Sequence, residues 1–231
     1  LLIDFTVTVY FMMYYIKKIR RMKMQLVLRE YQKQDFKPLE NIIRETWNYD
    51  KFCSPKTASK LAKVFLSSCL TNYTFSRVAV LDERIVGIIL VNNKAKHKCP
   101  LSYKLKQIKS IVSLYACKEG RKASKIFGSV YGIDQQLLNE NHKSYPAELA
   151  LFAVDSSCRG KGIGKRLFQS ALDYIQQEEL NEFYLFTDTS CNYGFYEHQG
   201  MVRRCEKKHH FHINGQIATM QFFIYDYQIE I

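Results

Sequence analysis

The segment richest in chemical potential is Cys158-Arg-Gly-Lys-Gly-Ile-Gly164, followed by Lys165. Glycines at 160, 162 and 164 let the backbone approach a ligand closely. The apolar run Ala147–Val154 before it reads as a strand, and 165–177 reads as a helix with apolar residues at 167, 171, 172 and 175. The first turn of a helix has unpaired N–H groups and the positive end of the dipole. Arg159, Lys161 and Lys165 add charge to that end, so the segment suits a phosphate or a diphosphate. Two common phosphate loops fail at named positions. GxxxxGK[ST] would need Gly at 159 and Ser or Thr at 166, where Arg159 and Arg166 stand. GxGxxG starting at Gly160 would need Gly or Ala at 165, where Lys165 stands.

A second segment, Asn192-Tyr-Gly-Phe-Tyr196-Glu-His-Gln-Gly200-Met201, follows another short apolar run, 183–187. Together with Arg159-x-x-Gly162-x-Gly164 it resembles the GNAT superfamily of acyl-CoA-dependent N-acyltransferases. The first segment matches that family's R/Q-x-x-G-x-G/A signature. The second is similar to its N-x-x-x-x-F-Y-E-x-x-G-F stretch, shortened after Asn and with Met for the last aromatic. The resemblance covers 24–92 and 146–228.

The resemblance implies an α/β fold: a mixed, mostly antiparallel sheet flanked by helices, whose fourth and fifth strands splay apart to admit acetyl-CoA as co-substrate. The backbone of Phe152, Ala153 and Val154 would bond the pantetheine arm like an added strand. Amides and side chains of Arg159, Gly160, Lys161, Gly162, Ile163, Gly164 and Lys165 would hold the diphosphate, and Asn192 would contact the ligand from the other side. Attack of an amine on a thioester needs a base, oxyanion stabilisation and a proton for the leaving thiolate. Glu148 is the expected base, directly or through water, and Tyr196 the expected acid. Tyr193 is a weaker substitute for that acid, and a thiol nucleophile at Cys158 or Cys191 is unnecessary for direct transfer. The acceptor is a primary amine of a small molecule, peptide or protein. A homodimer is compatible with the resemblance.

The elements that must position these groups follow from periodicity. Gln25–Arg29 suits a first strand, and Asp35 a cap for a helix carrying Leu39, Ile42, Ile43 and Trp47. A second helix is predicted over 57–70. Strands at 75–81 and 85–91 are joined by a hairpin at Asp82-Glu83-Arg84. Two final strands, 202–212 and 217–227, flank Asn214-Gly215, a strong hairpin turn signal.

Residues 94–144 depart from the family pattern, which has a short connection there. Between Lys94 and Lys125 stand ten basic residues and one acid, Glu119, a local balance of +9. Leu101, Leu105, Ile108, Val112 and Tyr115 recur at helical spacing, as do Ile126, Val130, Ile133, Leu137 and Leu138. We expect two amphipathic helices joined near Gly120, with basic outer faces and apolar stripes packed inward.

Composition bounds the rest. The chain has 231 residues, 47% hydrophobic and 14% aromatic, with 10 Gly and 4 Pro, which excludes collagen-like and disordered classes. The net charge of +12 predicts attraction to anions. A competing function is therefore a regulatory or nucleic-acid-binding module on the same scaffold, using the 94–125 face. A charge run is usually a solvated face, so nucleic acid is not expected as a partner. Seven scattered cysteines without a CxxC unit argue against a zinc ribbon and for free thiols in a reducing, cytoplasmic setting. In His209-His210-x-His212, alternation puts 209 opposite 210 and 212, with no acid or thiol to complete a set, so no metal is expected.

Residues 1–23 open with an apolar run of about 16, short of the roughly 20 a membrane-spanning helix needs. The basic residues Lys17 to Lys23 follow the run, the reverse of a secretory signal. The segment reads as an extension outside the functional domain, which is taken as 24–231. A membrane is not expected as a partner, and this segment is the one argument for a membrane-peripheral enzyme.

Overall fold

The computed structural model describes residues 25–213 and 216–229. The expectations for residues 1–23 and for the Asn214-Gly215 turn lie outside the described residues. Seven strands form one sheet in the order β1-β2-β3-β4-β5-β7-β6. They are β1 (Leu26–Arg29), β2 (Phe75–Leu81), β3 (Arg84–Asn93), β4 (Ala147–Val154), β5 (Glu182–Asp188), β6 (Val202–Ile213) and β7 (Gln216–Gln228). Neighbours are antiparallel except β4 and β5, which run parallel.

Among the described residues six α-helices flank the sheet: α1 (Phe36–Thr46), α2 (Pro55–Cys69), α3 (Leu101–Tyr115), α4 (Lys118–Glu140), α5 (Ile163–Gln177) and α6 (Gly194–His198). On one face, α5 buries Ile163, Leu167, Phe168, Ala171 and Ile175 against Ile89, Val91, Leu149, Phe183 and Leu185. On the other, α1 and α2 bury Leu39, Ile43, Leu61 and Leu66 against Ile88, Leu90, Leu151 and Ala153. Ile133 and Leu137 of α4 extend this second layer over Tyr184, Phe222 and Ile224.

Local chemistry explains most boundaries. Asp82 and Glu83 both have positive φ, 47° and 67°, as a two-residue hairpin requires. Ser54 caps α2 through the Thr57 amide, with Pro55 in the first turn. Asp35 departs from expectation. It precedes α1, but its carboxylate makes no cap bond to that helix. It is fully buried and turns back to Arg29, at 2.6 and 2.7 Å, and to the Gln32 amide at 2.7 Å. Trp47 ends α1 instead of lying on its apolar face, and its ring packs on Phe65 with centroids 4.8 Å apart.

The insert forms two helices, with two differences from the sequence reading. First, the joint is at Ala116-Cys117, and Gly120 lies in the first turn of α4. A Cβ there would come within 2.0 Å of the Leu114 carbonyl oxygen, so only glycine lets the two helices meet this closely. Second, the stripe Leu101, Leu105, Ile108, Val112 and Tyr115 faces outward. The buried side of α3 is Leu114, with Tyr103, Gln107 and Ser110 partly covered. The Tyr103 and Tyr73 hydroxyls bond at 3.3 Å, and Gln107 donates to Ser68 Oγ at 3.1 Å.

Glu119, the single acid of the basic stretch, fastens the insert to α2. Its carboxylate accepts from the Ser54 amide at 2.7 Å and from the Ser54 and Thr57 hydroxyls. Those bonds hold its pKa down at about 2. Gly120→Ala is expected to destabilise the fold by about 1–3 kcal/mol through overpacking, read as a lowered midpoint in urea unfolding. An unchanged midpoint would mean that the joint has slack.

Candidate active site

β4 and β5 pair only at Ala147↔Phe183 and Glu148↔Tyr184. Beyond Glu148 they diverge. A bulge contributes to this: Leu90 faces Leu151 and Val91 faces Leu149, so Ala150 is the extra residue. The edge of β4 from Leu149 to Val154 that faces β5 therefore has no strand partner. Between the two strands lies a cleft of about 450 Å³.

The closed end of the wedge is tied by a buried ionic knot. Asp226 on β7, 1% exposed, accepts from Lys143 at 2.9 Å, Arg204 at 2.7 Å and the Tyr145 hydroxyl at 3.0 Å. Lys143 also reaches Glu182 at the start of β5. Burial pushes the Asp226 carboxyl up, but the three donors outweigh it and hold the group below the usual carboxylate range.

At the open end, β4 runs into Asp155, which anchors the glycine loop. Asp155 accepts from the Ser157 amide at 2.9 Å and pairs with Arg84 at the start of β3. Gly160 and Gly162 have φ of 76° and 75°, and Gly162 stands at the N-cap of α5. Nothing lies within 4 Å of where their Cβ atoms would be, so the loop borders open space. The Arg159 amide is already used, donating to Ser156 at 3.3 Å. The cradle is thus formed by the amides of 160–165, which have no backbone acceptor, with the Arg159 side chain beside them.

Most of the residues singled out in the sequence meet here. Phe152, Ala153, Val154, Arg159, Gly160, Gly162, Ile163, Gly164, Lys165, Asn192 and Tyr196 all line the cleft. Lys161 is exposed and does not. Tyr196 is buried among Phe152, Phe195 and Tyr225. Burial, with the fields of Cys191 and Asp188, pushes its hydroxyl well above the usual tyrosine range. Its neighbour Glu197 is structural: Tyr225 and Arg203 donate to it at 2.7 and 2.6 Å, pinning α6 to the last hairpin.

Glu148 lies outside the cleft lining, on the face of β4 that looks toward α4. Asn72 Nδ2 donates to its Oε2 at 3.0 Å, and Asn72 Oδ1 accepts from Asn92 at 2.6 Å. Lys94 stands over the Tyr184 ring at 4.7 Å, within the field of Glu148. Cys191 lines the cleft, and burial raises its thiol to about 11, so it holds no thiolate at neutral pH. His210 Nδ1 bonds Thr219 Oγ1 at 2.8 Å, and no group fit to hold a metal occurs among the described residues.

The sequence reading missed several contributors. Thr46, Trp47 and Phe65 of the first two helices wall the cleft, as do Phe186 and Thr187. Thr187 is 8% exposed, and its buried Oγ1 stands beside the Cys191 thiol. Asp134 comes from the insert. Burial and the fields of Asp188 and Glu148 push its carboxyl up to about 7. The signal for it was an acid on α4's apolar side, next to Ile133 and one turn from Val130.

The Acetyltransferase (GNAT) family model matches residues 38–201. No curated protein matches the chain. Among solved structures, the chain is similar to PH1933 from Pyrococcus horikoshii (TM-score 0.54, 15% identity, 90% of this chain and 100% of that one). An N-acetyltransferase from Staphylococcus aureus gives 0.52 at 13% identity, covering 89% and 99%. A GCN5-related N-acetyltransferase from Kribbella flavida gives 0.51 at 13%, covering 88% and 98%. At these identities the likeness is one of fold.

The Asp134 environment carries a pH prediction. Its folded pKa of about 7 lies above the ordinary 3.8, so the folded chain holds that proton more tightly than the unfolded chain does. Its contribution to stability therefore falls as pH rises from about 4 to about 7. Asp134→Asn is expected to match the parent at pH 4 and exceed it by about 1–2 kcal/mol at pH 8, measured by urea unfolding. Equal stabilities at pH 8 would place the carboxylate in water.

Proposed function

The chain belongs to the GNAT acetyltransferase family, and from that premise we propose that it moves the acetyl group of acetyl-CoA to a primary amine by direct attack in a ternary complex. The observation that carries this reading is the free edge of β4 running directly into the amide cradle at the head of α5. A pantetheine arm needs backbone partners along its amides, and a diphosphate needs N–H groups and cations at its end. The cleft supplies both in that order.

The backbone of Phe152, Ala153 and Val154 would hold the arm, as an added strand does. The amides of 160–165 with Arg159 and Lys165 would hold the diphosphate, the exposed Lys161 would add charge nearby, and Asn192 lines the same cleft. When bound, acetyl-CoA supplies a thioester carbonyl.

The chain's own groups handle the protons. Tyr196 lines the cleft and, protonated at neutral pH as an ordinary tyrosine is, would donate to the leaving thiolate. Glu148, held by Asn72, takes the amine proton directly or through water. The competing reading, a regulatory or nucleic-acid-binding module, leaves the cleft and its amide cradle without a role.

Titration calorimetry with acetyl-CoA is expected to show binding, abolished by Gly162→Asp. That change puts a carboxylate at the diphosphate position and a side chain at φ 75°. Absence of heat with the parent chain would remove the proposal. In an amine screen that reads thiol release, Tyr196→Phe is expected to lower kcat by about 10²-fold or more with little change in the KM for acetyl-CoA. A large KM change at constant kcat would make Tyr196 a packing residue.

A further inference from the structure

Helix α3 is amphipathic in the wrong direction for a solvated surface helix. Its inner side uses Tyr103, Gln107 and Ser110 along with Leu114, whereas Leu101, Leu105, Ile108, Ile111, Val112 and Tyr115 face out. The exposures are large, 70% for Leu101, 62% for Val112 and 57% for Leu105. Six of the ten large apolar side chains exposed among the described residues are on this one helix. Scattered exposed apolar groups need no explanation, but a continuous stripe does.

The surroundings of the stripe are cationic. Lys98, Lys104 and Lys109 are exposed beside or within it, and Lys118, Lys122 and Lys125 are exposed on the helix that follows. None of these six has an acidic partner among the ion pairs of the described residues. Other nearby cations are already committed: Lys60 and Arg121 donate to the Ser113 and Tyr115 carbonyls, satisfying the C-terminal end of α3, and Lys106 lies over the Phe36 ring at 3.3 Å.

We propose that the outward face of α3 docks the protein on an anionic lipid bilayer. An occupant must accept an apolar stripe and a ring of unpaired lysines together. A second copy would bring two stretches of +9 into contact, which charge opposes. Nucleic acid would engage the lysines and leave the stripe in water, because its affinity comes from phosphate contacts. Residues 1–23 are themselves basic at their C-terminal end, which opposes packing on this face. A bilayer with anionic headgroups meets both demands along a helix of 15 residues, about 22 Å. No helix among the described residues is long and apolar enough to cross a membrane. Stable peripheral attachment takes two signals. The apolar stripe of α3 is one, and the unpaired lysines around it are the other.

The test is co-sedimentation of the full chain with phosphatidylcholine vesicles and with vesicles containing half phosphatidylglycerol, beside Ile108→Glu/Val112→Glu. Both substituted residues are exposed and outside the acetyl-transfer site, so thermal melting and acetyl-CoA binding are expected to be unchanged. The parent is expected to bind the anionic vesicles at least tenfold more tightly than the neutral ones, and the double variant to lose at least tenfold. Failure to sediment with anionic vesicles overturns the proposal. So does equal binding by parent and variant, which would assign any lipid contact to another part of the chain. Sedimentation velocity without vesicles adds a third arm: a dimer that the double variant abolishes would make a second copy the occupant, and the proposal would fail.

Discussion

A strand edge without a partner governs this molecule. Buried backbone N–H and C=O groups are almost always paired, yet β4 loses β5 after two residue pairs. The pairing is not lost through weakness. The bulge at Ala150 turns β4 away, and the knot of Asp226, Lys143, Arg204 and Tyr145 clamps the other end. A wedge held shut at one end and bent at the other keeps its edge available. Removing one partner of such a buried ionic knot costs more than the knot itself contributes, because the remaining charge is stranded. The knot is therefore best understood as fixing geometry.

The loop at 159–165 inherits its position from that wedge. Asp155, braced by Arg84 and Ser157, sets where β4 ends, and two glycines with positive φ swing the chain into α5. The amides of 162–165 are left free by the start of a helix, and those of 160 and 161 by the glycine turn before it. The burial of Tyr196 follows from the aromatic packing of Phe152 and Phe195 above α5. Its shifted titration is a by-product of the packing that closes the inner wall.

This part of the fold was legible because it is local. Glycine spacing, cations and a helix start occupy consecutive residues, and the cleft is lined by 11 of the 13 residues singled out from the sequence: all but Glu148 and Lys161. What stayed hidden depended on direction. Periodicity identifies residues that share a helix face, but it does not say which way the face points; α3 has the expected stripe and turns it outward. Asp35 had the right position for a cap, but a buried bond to Arg29 outcompeted it. Gly120 looked like a break in the chain and is a point of close approach. Trp47 and Phe65 reach the cleft from separate segments, and Asp134 of the insert comes within the field of Asp188 and Glu148, a convergence that only the tertiary arrangement produces.

The sheet order has a consequence for biosynthesis. β7 lies inside the sheet, between β5 and β6, and it carries Asp226. Until residues 216–228 have emerged from the ribosome, β5 has no antiparallel neighbour and the clamp at the base of the wedge has no centre. During translation the nascent chain thus carries a cradle and half a groove, with sticky strand edges exposed. The competence to grip a ligand therefore waits for β7, the last strand of the sheet to be made.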